Sequence, residues 1–349
     1  MKWFKKRLIW ATRRLGGLCL IRYLVNILEI ARNPNAHPAF PFVKRRRNPV
    51  AQILVYHRVN DEDDPIFPGV PTKIFAQQME YLAEHYSVCA LTELVQRLEC
   101  GDLPANAVTI TFDDGYRDNY TKAFPILKRL GLPATIFLVT DAIGTGRLLW
   151  HDRVFAAFRA TEVPALYGWG NDKGFYPLRS AADKSATLER CLKVLWSLDD
   201  EVRSTWTDQL LVRLGAADQQ IDHQLMLSWN DVQEMSGYNI DFGAHTVSHP
   251  ILSKVSAQRA RDEIQNSKQL IESKLKLTVR HFAYPVGRAV DYNPDIKNLL
   301  REAGFKSAVT TIFGSNDSDR DRLELRRATP WDQNIDLFAF RLSYFKFLS

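Results

Sequence analysis

Cysteine is scarce. The 349 residues hold four, Cys19, Cys89, Cys100 and Cys191, with no CxxC pair, which argues against a disulfide framework and a cysteine zinc site and favours a reducing compartment. Glycine and proline, at 17 and 16, are too few for a collagen-like or low-complexity chain, and no internal repeat is visible. No apolar run reaches the roughly 20 residues of a membrane span; the nearest candidate, Leu15 to Ala31, is 17 residues long and contains Arg22 and Glu29. Arg22 also breaks it as a signal peptide, and no small-residue cleavage site follows. With 46% apolar and 25% charged residues, the chain is excluded from the disordered class, and its length suits one large domain or two smaller ones.

The net charge of +6 is unevenly placed: twelve of the 46 basic residues and one of the 40 acidic ones, Glu29, fall in the first fifty positions. A cationic arm therefore precedes a mildly acidic body. From Trp3 to Ala31 the arm mixes Lys and Arg with Trp, Leu and Ile, and Arg22, Asn26 and Glu29 form one polar stripe at helical spacing. An amphipathic helix lying on an anionic membrane surface is expected, helped by the basic run Lys44 to Arg47 in the linker that follows. A helix packed on the body or a partner, and an atypical export signal or anchor, stay open. Nucleic acid is not an expected partner, because the second half of the arm is rich in Leu and Ile.

Past Pro49, β-rich runs alternate with amphipathic stretches, the pattern of a parallel sheet with crossover helices. Strands are expected at Gln52 to Tyr56, Val108 to Phe112, Ala134 to Leu138, Ile240 to Ala244, His281 to Tyr284, Ser307 to Thr310 and Leu323 to Arg327. Helices are expected at Lys73 to His85 after the cap Thr72, Leu91 to Leu98, Tyr120 to Leu130, Ala257 to Leu275 after Ser256, and Pro294 to Ala303. Seven strands suggest a barrel. About a hundred residues between the third and fourth strands exceed what a crossover needs; with helical spacing at Ala181 to Leu198 and Asp200 to Leu214, they are expected to form a helical insertion. It could be a lid, a partner surface or decoration. The predicted organisation is an arm and linker at 1–49, a barrel at 50–335 with the insertion at about 145–228, and an aromatic tail at 336–349.

The second strand ends in Thr111-Phe112-Asp113-Asp114-Gly115, which delivers two adjacent carboxylates to the carboxyl end of a barrel strand, where such folds build active sites. Adjacent acids repel unless they share a cation or proton, although an Asp-Asp-Gly after a strand is also an ordinary turn. The fourth strand runs into His245-Thr246-Val247-Ser248-His249. Two histidines four apart converge on one ion if the segment turns helically, and with Asp114 they make a three-ligand set that leaves positions for water and substrate.

These residues resemble a known family. TFDDG at Thr111 to Gly115, HTVSH at His245 to His249, and Phe282-Ala283-Tyr284-Pro285-Val286-Gly287 are similar to the first three motifs of the polysaccharide deacetylases, also called carbohydrate esterase family 4 or the NodB-homology domain. The resemblance covers roughly residues 50 to 330, outside the insertion. It implies an α/β fold, a distorted (β/α)7 TIM-like barrel, and one divalent metal ion, Zn2+ in most members, used to hydrolyse N-acetyl groups of amino sugars. Asp114, His245 and His249 would bind the metal, Asp113 would be the general base, and the Val286 N–H would stabilise the oxyanion.

Two positions depart from the family pattern. Ala283 stands where many members carry an arginine that orients the base; Arg327 in the last strand is a candidate substitute, or else a rim salt bridge. The usual Leu-x-His motif that supplies the catalytic acid is missing, since no histidine follows Arg327. Ile53-Leu54-Val55-Tyr56-His57 resembles the first strand of poly-N-acetylglucosamine deacetylases, in which that element is permuted to the front, and His57 would then be the acid; a structural histidine is the alternative. His281 is read as structural, facing away from the site by alternation with Ala283. Trp150, His151 and Asp152 could line a sugar cleft, Trp331 and Asp332 weakly match a fourth motif, and the tail Leu337 to Leu348 is either an interfacial patch or packed on the body.

The expected protein is thus a metal-dependent N-deacetylase of a bacterial surface polysaccharide or its lipid-linked precursor, peripheral on the inner membrane, at the cytoplasmic face or else the periplasmic one. A deformylase acting on a lipid-linked sugar and a non-catalytic glycan-binding barrel are the alternatives.

Overall fold

The computed structural model describes residues 49–216, 222, 224–329 and 332–345. The N-terminal arm, its basic linker and Trp331 lie outside the described residues. In chain order the elements are β1 (Gln52–Tyr56), α1 (Thr72–His85), β2 (Ser87–Val88), α2 (Leu91–Cys100), β3 (Ala107–Phe112), a π-helical turn (Asn119–Ala123), α3 (Phe124–Leu130) and β4 (Ala134–Leu138). There follow α4 (Trp150–Ala160), β5 (Ala165–Trp169), β6 (Asp172–Pro177), α5 (Ala181–Ser197), α6 (Asp200–Arg213), α7 (Trp229–Ser236) and β7 (Ile240–Ala244). The chain continues through α8 (Ala257–Leu275), β8 (His281–Ala283), α9 (Pro294–Glu302), β9 (Ser307–Phe313), β10 (Leu325–Arg327) and α10 (Ile335–Phe345).

β1, β3 and β4 are buried at every position, as expected of parallel strands covered on both faces. Their order is β1-β3-β4-β7-β8-β9-β10, with β2 beside the start of β3. The sheet closes where Leu54 bridges Ala328: the Val55 N–H donates to the Ala328 carbonyl at 3.0 Å and the Ala328 N–H to that of Ile53 at 2.8 Å. The architecture is a (β/α)7 barrel. Alternation sorts the side chains. Leu54, Ile110, Phe112, Ile136 and Leu138 pack outward with Phe75, Met79 and Leu82 of α1, while Ile53, Phe137, Ala283, Val309 and Leu325 cluster with Leu91, Leu94 and Leu98 of α2.

Several expectations need correction. Thr72 is the first helical residue rather than the cap; its N–H and hydroxyl both donate to Asp61. The helix expected from Tyr120 begins instead as the π turn at Asn119. The insertion is not wholly helical, since β5 and β6 pair as an antiparallel hairpin about Gly170, which has a φ of 57°. The signal was a Gly-Asn turn between aromatic runs. This hairpin, α4, α5 and α6 share a second core that includes Phe155, Phe158, Trp169, Leu188, Leu195 and Leu210. Short helices α4 and α7 were also not anticipated. Of the tail, α10 packs on the body, with Phe338 and Leu342 in the main core and Gln52 donating to the Leu342 carbonyl at 2.8 Å; residues 346–349 lie outside the described residues.

Gly243 in β7 admits no side chain: a Cβ there would stand 2.4 Å from the Phe137 ring and 2.9 Å from the His281 carbonyl oxygen. Gly243→Ala is expected to destabilise the fold by about 1–3 kcal/mol through overpacking, measured by denaturant unfolding against the unsubstituted protein.

Candidate active site

Asp113 leaves the end of β3 with its N–H donating to the Tyr56 carbonyl at 3.0 Å. From β10 the Arg327 guanidinium meets it in a bidentate pair, Nη1 to Oδ1 at 2.8 Å and Nη2 to Oδ2 at 2.6 Å. The Arg327 Nε donates to the Thr310 carbonyl at 2.8 Å. Arg327 is among the largest side chains fully buried in the protein. Burial pushes the Asp113 pKa up, but the charge and hydrogen bonds of Arg327 prevail and hold it below the ordinary carboxylate range, so the group is ionised. The guanidinium is thus joined to Asp113 across the barrel interior, not placed in a rim salt bridge.

Asp114 adopts a φ of 72° and Gly115 one of 82°, which breaks the strand alternation and brings the second carboxylate to the same end of the barrel. Its Oδ1 lies 3.5 Å from the Nε2 atoms of both His245 and His249. One donor atom from each of the three lies within 4.8 Å of the others, and all three residues are buried. The His245 Nδ1 is 2.8 Å from the Ala283 carbonyl; a carbonyl only accepts, so Nδ1 carries a proton, and in the neutral ring the lone pair is on Nε2, facing Asp114. Ala283 therefore serves the site through its backbone. Asp114 Oδ1 is buried with no hydrogen-bond partner among the described residues. A carboxylate oxygen orphaned between two imidazoles fits a divalent cation by its donor set and its missing partner.

Burial opposes the charge on Asp114, yet the imidazoles gathered around it, His245 foremost, hold its carboxyl far below the usual carboxylate range. Burial drives the His249 pKa well below the ordinary imidazole value, leaving a neutral ring of the kind a metal requires.

The two histidines do not converge on a helical turn, as expected from their spacing. The segment is an irregular loop in which Thr246 and His249 take φ values of 69° and 60°. Glu263 of α8 clamps it: Oε2 accepts the N–H groups of Val247 and Ser248 at 2.8 and 2.9 Å, and Oε1 accepts the Ser248 hydroxyl at 2.6 Å. The His249 N–H donates to Thr246 Oγ1 at 3.0 Å. No local signal marks Glu263, because its partner lies in another loop.

His57 is on the same rim, with Nε2 4.0 Å from Asp113 Oδ2 and its side chain about one-third exposed, at 31%. Its loop is held from the turn after the paired acids, since Asn119 donates to the His57 carbonyl at 2.8 Å and Asp118 accepts from Arg58 Nε at 2.7 Å. Val286 is left-handed at a φ of 61°, a strained state for a β-branched residue, and its carbonyl accepts the Thr311 hydroxyl at 2.7 Å. His281 is structural, but the alternation argument fails: two residues from Ala283, it shares that face of β8 and is separated from the site by depth. It lies 2.7 Å from the hydroxyl of Thr92 in α2 and 2.9 Å from that of Ser307, and burial pushes its pKa down to about 3. Asp332 is paired with Arg341 at 3.0 Å. Trp150 is half-buried under the Arg203 guanidinium, 4.9 Å from the ring centre, Asp152 is buried, and His151 stands against Asp114, with Nε2 4.0 Å from Oδ2.

Removing the guanidinium strands a buried carboxylate. Arg327→Met is expected to lower the unfolding free energy by about 3–5 kcal/mol, and adding Asp113→Val should recover part of that loss; denaturant unfolding of the two variants measures both.

Residues 101–308 match the family model for polysaccharide deacetylase. Among relatives, YxkH of Bacillus subtilis (strain 168), itself a polysaccharide deacetylase by assignment only, is 23% identical over 288 residues, 82% of this chain and 73% of its own length. A poly-β-1,6-N-acetyl-D-glucosamine N-deacetylase of Staphylococcus epidermidis is 31% identical over 141 residues, 36% of this chain and 48% of that protein, so the match spans about half of it. Of solved structures, IcaB from Ammonifex degensii shares the fold at a TM-score of 0.53 and 19% identity, covering 86% of this chain and 98% of that one. The Streptococcus pyogenes deacetylase PplD shares it at 0.55 and 21%, covering 80% and 92%. With the paired acids, the two-histidine loop and the seven-stranded barrel on one scaffold, this chain belongs to the polysaccharide deacetylase family and is an N-deacetylase enzyme of that family.

Proposed function

We propose that the protein uses one divalent metal ion, Zn2+ by preference, to remove N-acetyl groups from an amino sugar of a bacterial surface polysaccharide or its lipid-linked precursor. The observation that carries this reading is a carboxylate free of ligand duty, Asp113, locked by Arg327 at 2.6 and 2.8 Å beside the buried set Asp114, His245 and His249. Three protein ligands of N and O type leave positions for water and substrate and suit zinc. When bound, the metal supplies polarisation of the acetyl carbonyl and activation of water. Asp113 takes the proton of that water, and Arg327 keeps the carboxylate aimed. The Val286 N–H supports the negative charge that develops on the acetyl oxygen. His57 delivers a proton to the sugar nitrogen as the C–N bond breaks, and the acetyl group leaves as acetate. The glycan class is supported by the similarity to the poly-β-1,6-N-acetyl-D-glucosamine N-deacetylase of Staphylococcus epidermidis.

Acetate release from N-acetylated glucosamine oligomers tests the reading. Activity should vanish with a chelator and return with Zn2+, and Asp113→Asn should lower kcat by about 10²–10⁴. Activity that survives both treatments contradicts the mechanism.

The composition of the arm, with twelve basic residues in the first fifty positions and an apolar second half, supports a peripheral place on the bacterial inner membrane, at the cytoplasmic face or else the periplasmic one. The full chain should co-sediment with vesicles containing anionic lipid, less so in high salt, and a chain starting at residue 49 should not.

A further inference from the structure

The two metal-facing histidines are held differently. His245 has its ring set by the 2.8 Å contact of Nδ1 with the Ala283 carbonyl. His249 Nδ1 is buried and has no hydrogen-bond partner among the described residues, so ring packing sets its orientation. Its ring sits between that of His245, at 4.8 Å and 75°, and that of His151, at 5.0 Å and 71°. His151 belongs to α4, the first helix of the insertion.

His151 is itself tightly placed. The Tyr116 hydroxyl donates its one proton to Asp152 Oδ1 at 2.9 Å. His151 Nε2, 3.3 Å from the same hydroxyl oxygen, must therefore be the donor in that contact and carries a hydrogen. That N–H edge also faces Asp114 Oδ2 at 4.0 Å, while Asp114 Oδ1 faces the two metal-facing imidazoles. Phe155 and Trp150 pack against the ring, with centroids at 5.6 and 5.4 Å. The insertion is also tied to the histidine loop from a second direction. Asp200 of α6 pairs with Arg259 at 2.9 Å, and Arg259 lies 3.8 Å from Glu263, the residue that clamps Val247 and Ser248.

We propose that His151 is a positioning residue of the metal centre: supplied by the insertion and anchored by Tyr116 and Asp152, it backs the outer oxygen of Asp114 with an N–H and buttresses the otherwise unanchored ring of His249. The proposal rests on the metal-binding reading above. It makes the insertion a working part of the site. Contacts behind metal ligands are worth about 10–100-fold in metal affinity, and a residue touching two of three ligands falls within that range.

The test is Zn2+ affinity of the metal-free full chain, measured by competition with a chromophoric chelator, with thermal unfolding of the metal-free proteins as the control for folding. His151→Ala should bind Zn2+ about 10–100-fold more weakly with little change in metal-free unfolding. His151→Gln, which keeps an N–H near the Nε2 position, should recover most of the affinity, and Tyr116→Phe, which frees that anchor, should lose part of it. Should His151→Ala fail to fold, the Gln and Phe variants carry the comparison. Unchanged affinity in His151→Ala, whether or not KM for the glycan rises, overturns the proposal, as does a loss that Gln does not rescue. If His249→Ala binds Zn2+ as well as the unsubstituted protein, the metal reading itself falls, an outcome separable from failure at His151 alone.

Discussion

A guanidinium and a carboxylate buried together inside a closed barrel constrain everything around them. Arg327 and Asp113 come from strands more than two hundred residues apart in sequence, and their bidentate contact satisfies two charges that could not otherwise tolerate the interior. The contact needs β10 next to β1 and β1 next to β3, which is the closure made by the Leu54–Ala328 bridge. Closing the barrel and fixing the Asp113 carboxylate are thus one structural event. Ala283 stands where the family resemblance implies an orienting arginine, and the guanidinium comes instead from β10, two strands further along the sheet.

Around this pair, backbone groups do much of the ordering. The Ala283 carbonyl sets the tautomer of His245, and left-handed residues at Asp114, Thr246, His249 and Val286 turn the chain sharply at strand ends. Such conformations are costly for side chains other than glycine and persist because neighbouring elements hold them. Glu263 clamps the histidine loop, Thr311 holds the loop at Val286, and Asp118 and Asn119 hold the segment bearing His57. Each of these segments is tied to a neighbouring element through side-chain hydrogen bonds.

The insertion combines independence with attachment. A core of aromatic and leucine side chains, with Ile66 and Phe67 packed against it, gathers the hairpin and three helices, while His151 at the entrance stands against Asp114 and Asp200 in α6 pairs with Arg259 of α8. An accessory element with a core of its own holds the His151 ring against the Asp114 carboxylate and the His249 ring from a helix rather than from a loop.

The residues themselves determined the strand runs, because parallel strands buried on both faces must be almost continuously apolar, and they determined the motif-bearing strand ends, because paired acids and paired imidazoles are chemically conspicuous. They also marked Asp113, Asp114, His245, His249, His57 and Arg327 as candidates. Tertiary structure alone decided how these meet. Arg327 pairs with Asp113 only because the barrel closes, the histidines converge through a clamped loop and not a helical turn, and His281 is kept from the site by depth in the barrel although it shares a strand face with Ala283. Glu263, Tyr116 and the place of His151 beside Asp114 left no local trace, since sequence periodicity reports which face a residue takes on its own element and carries no information about which distant element will stand opposite.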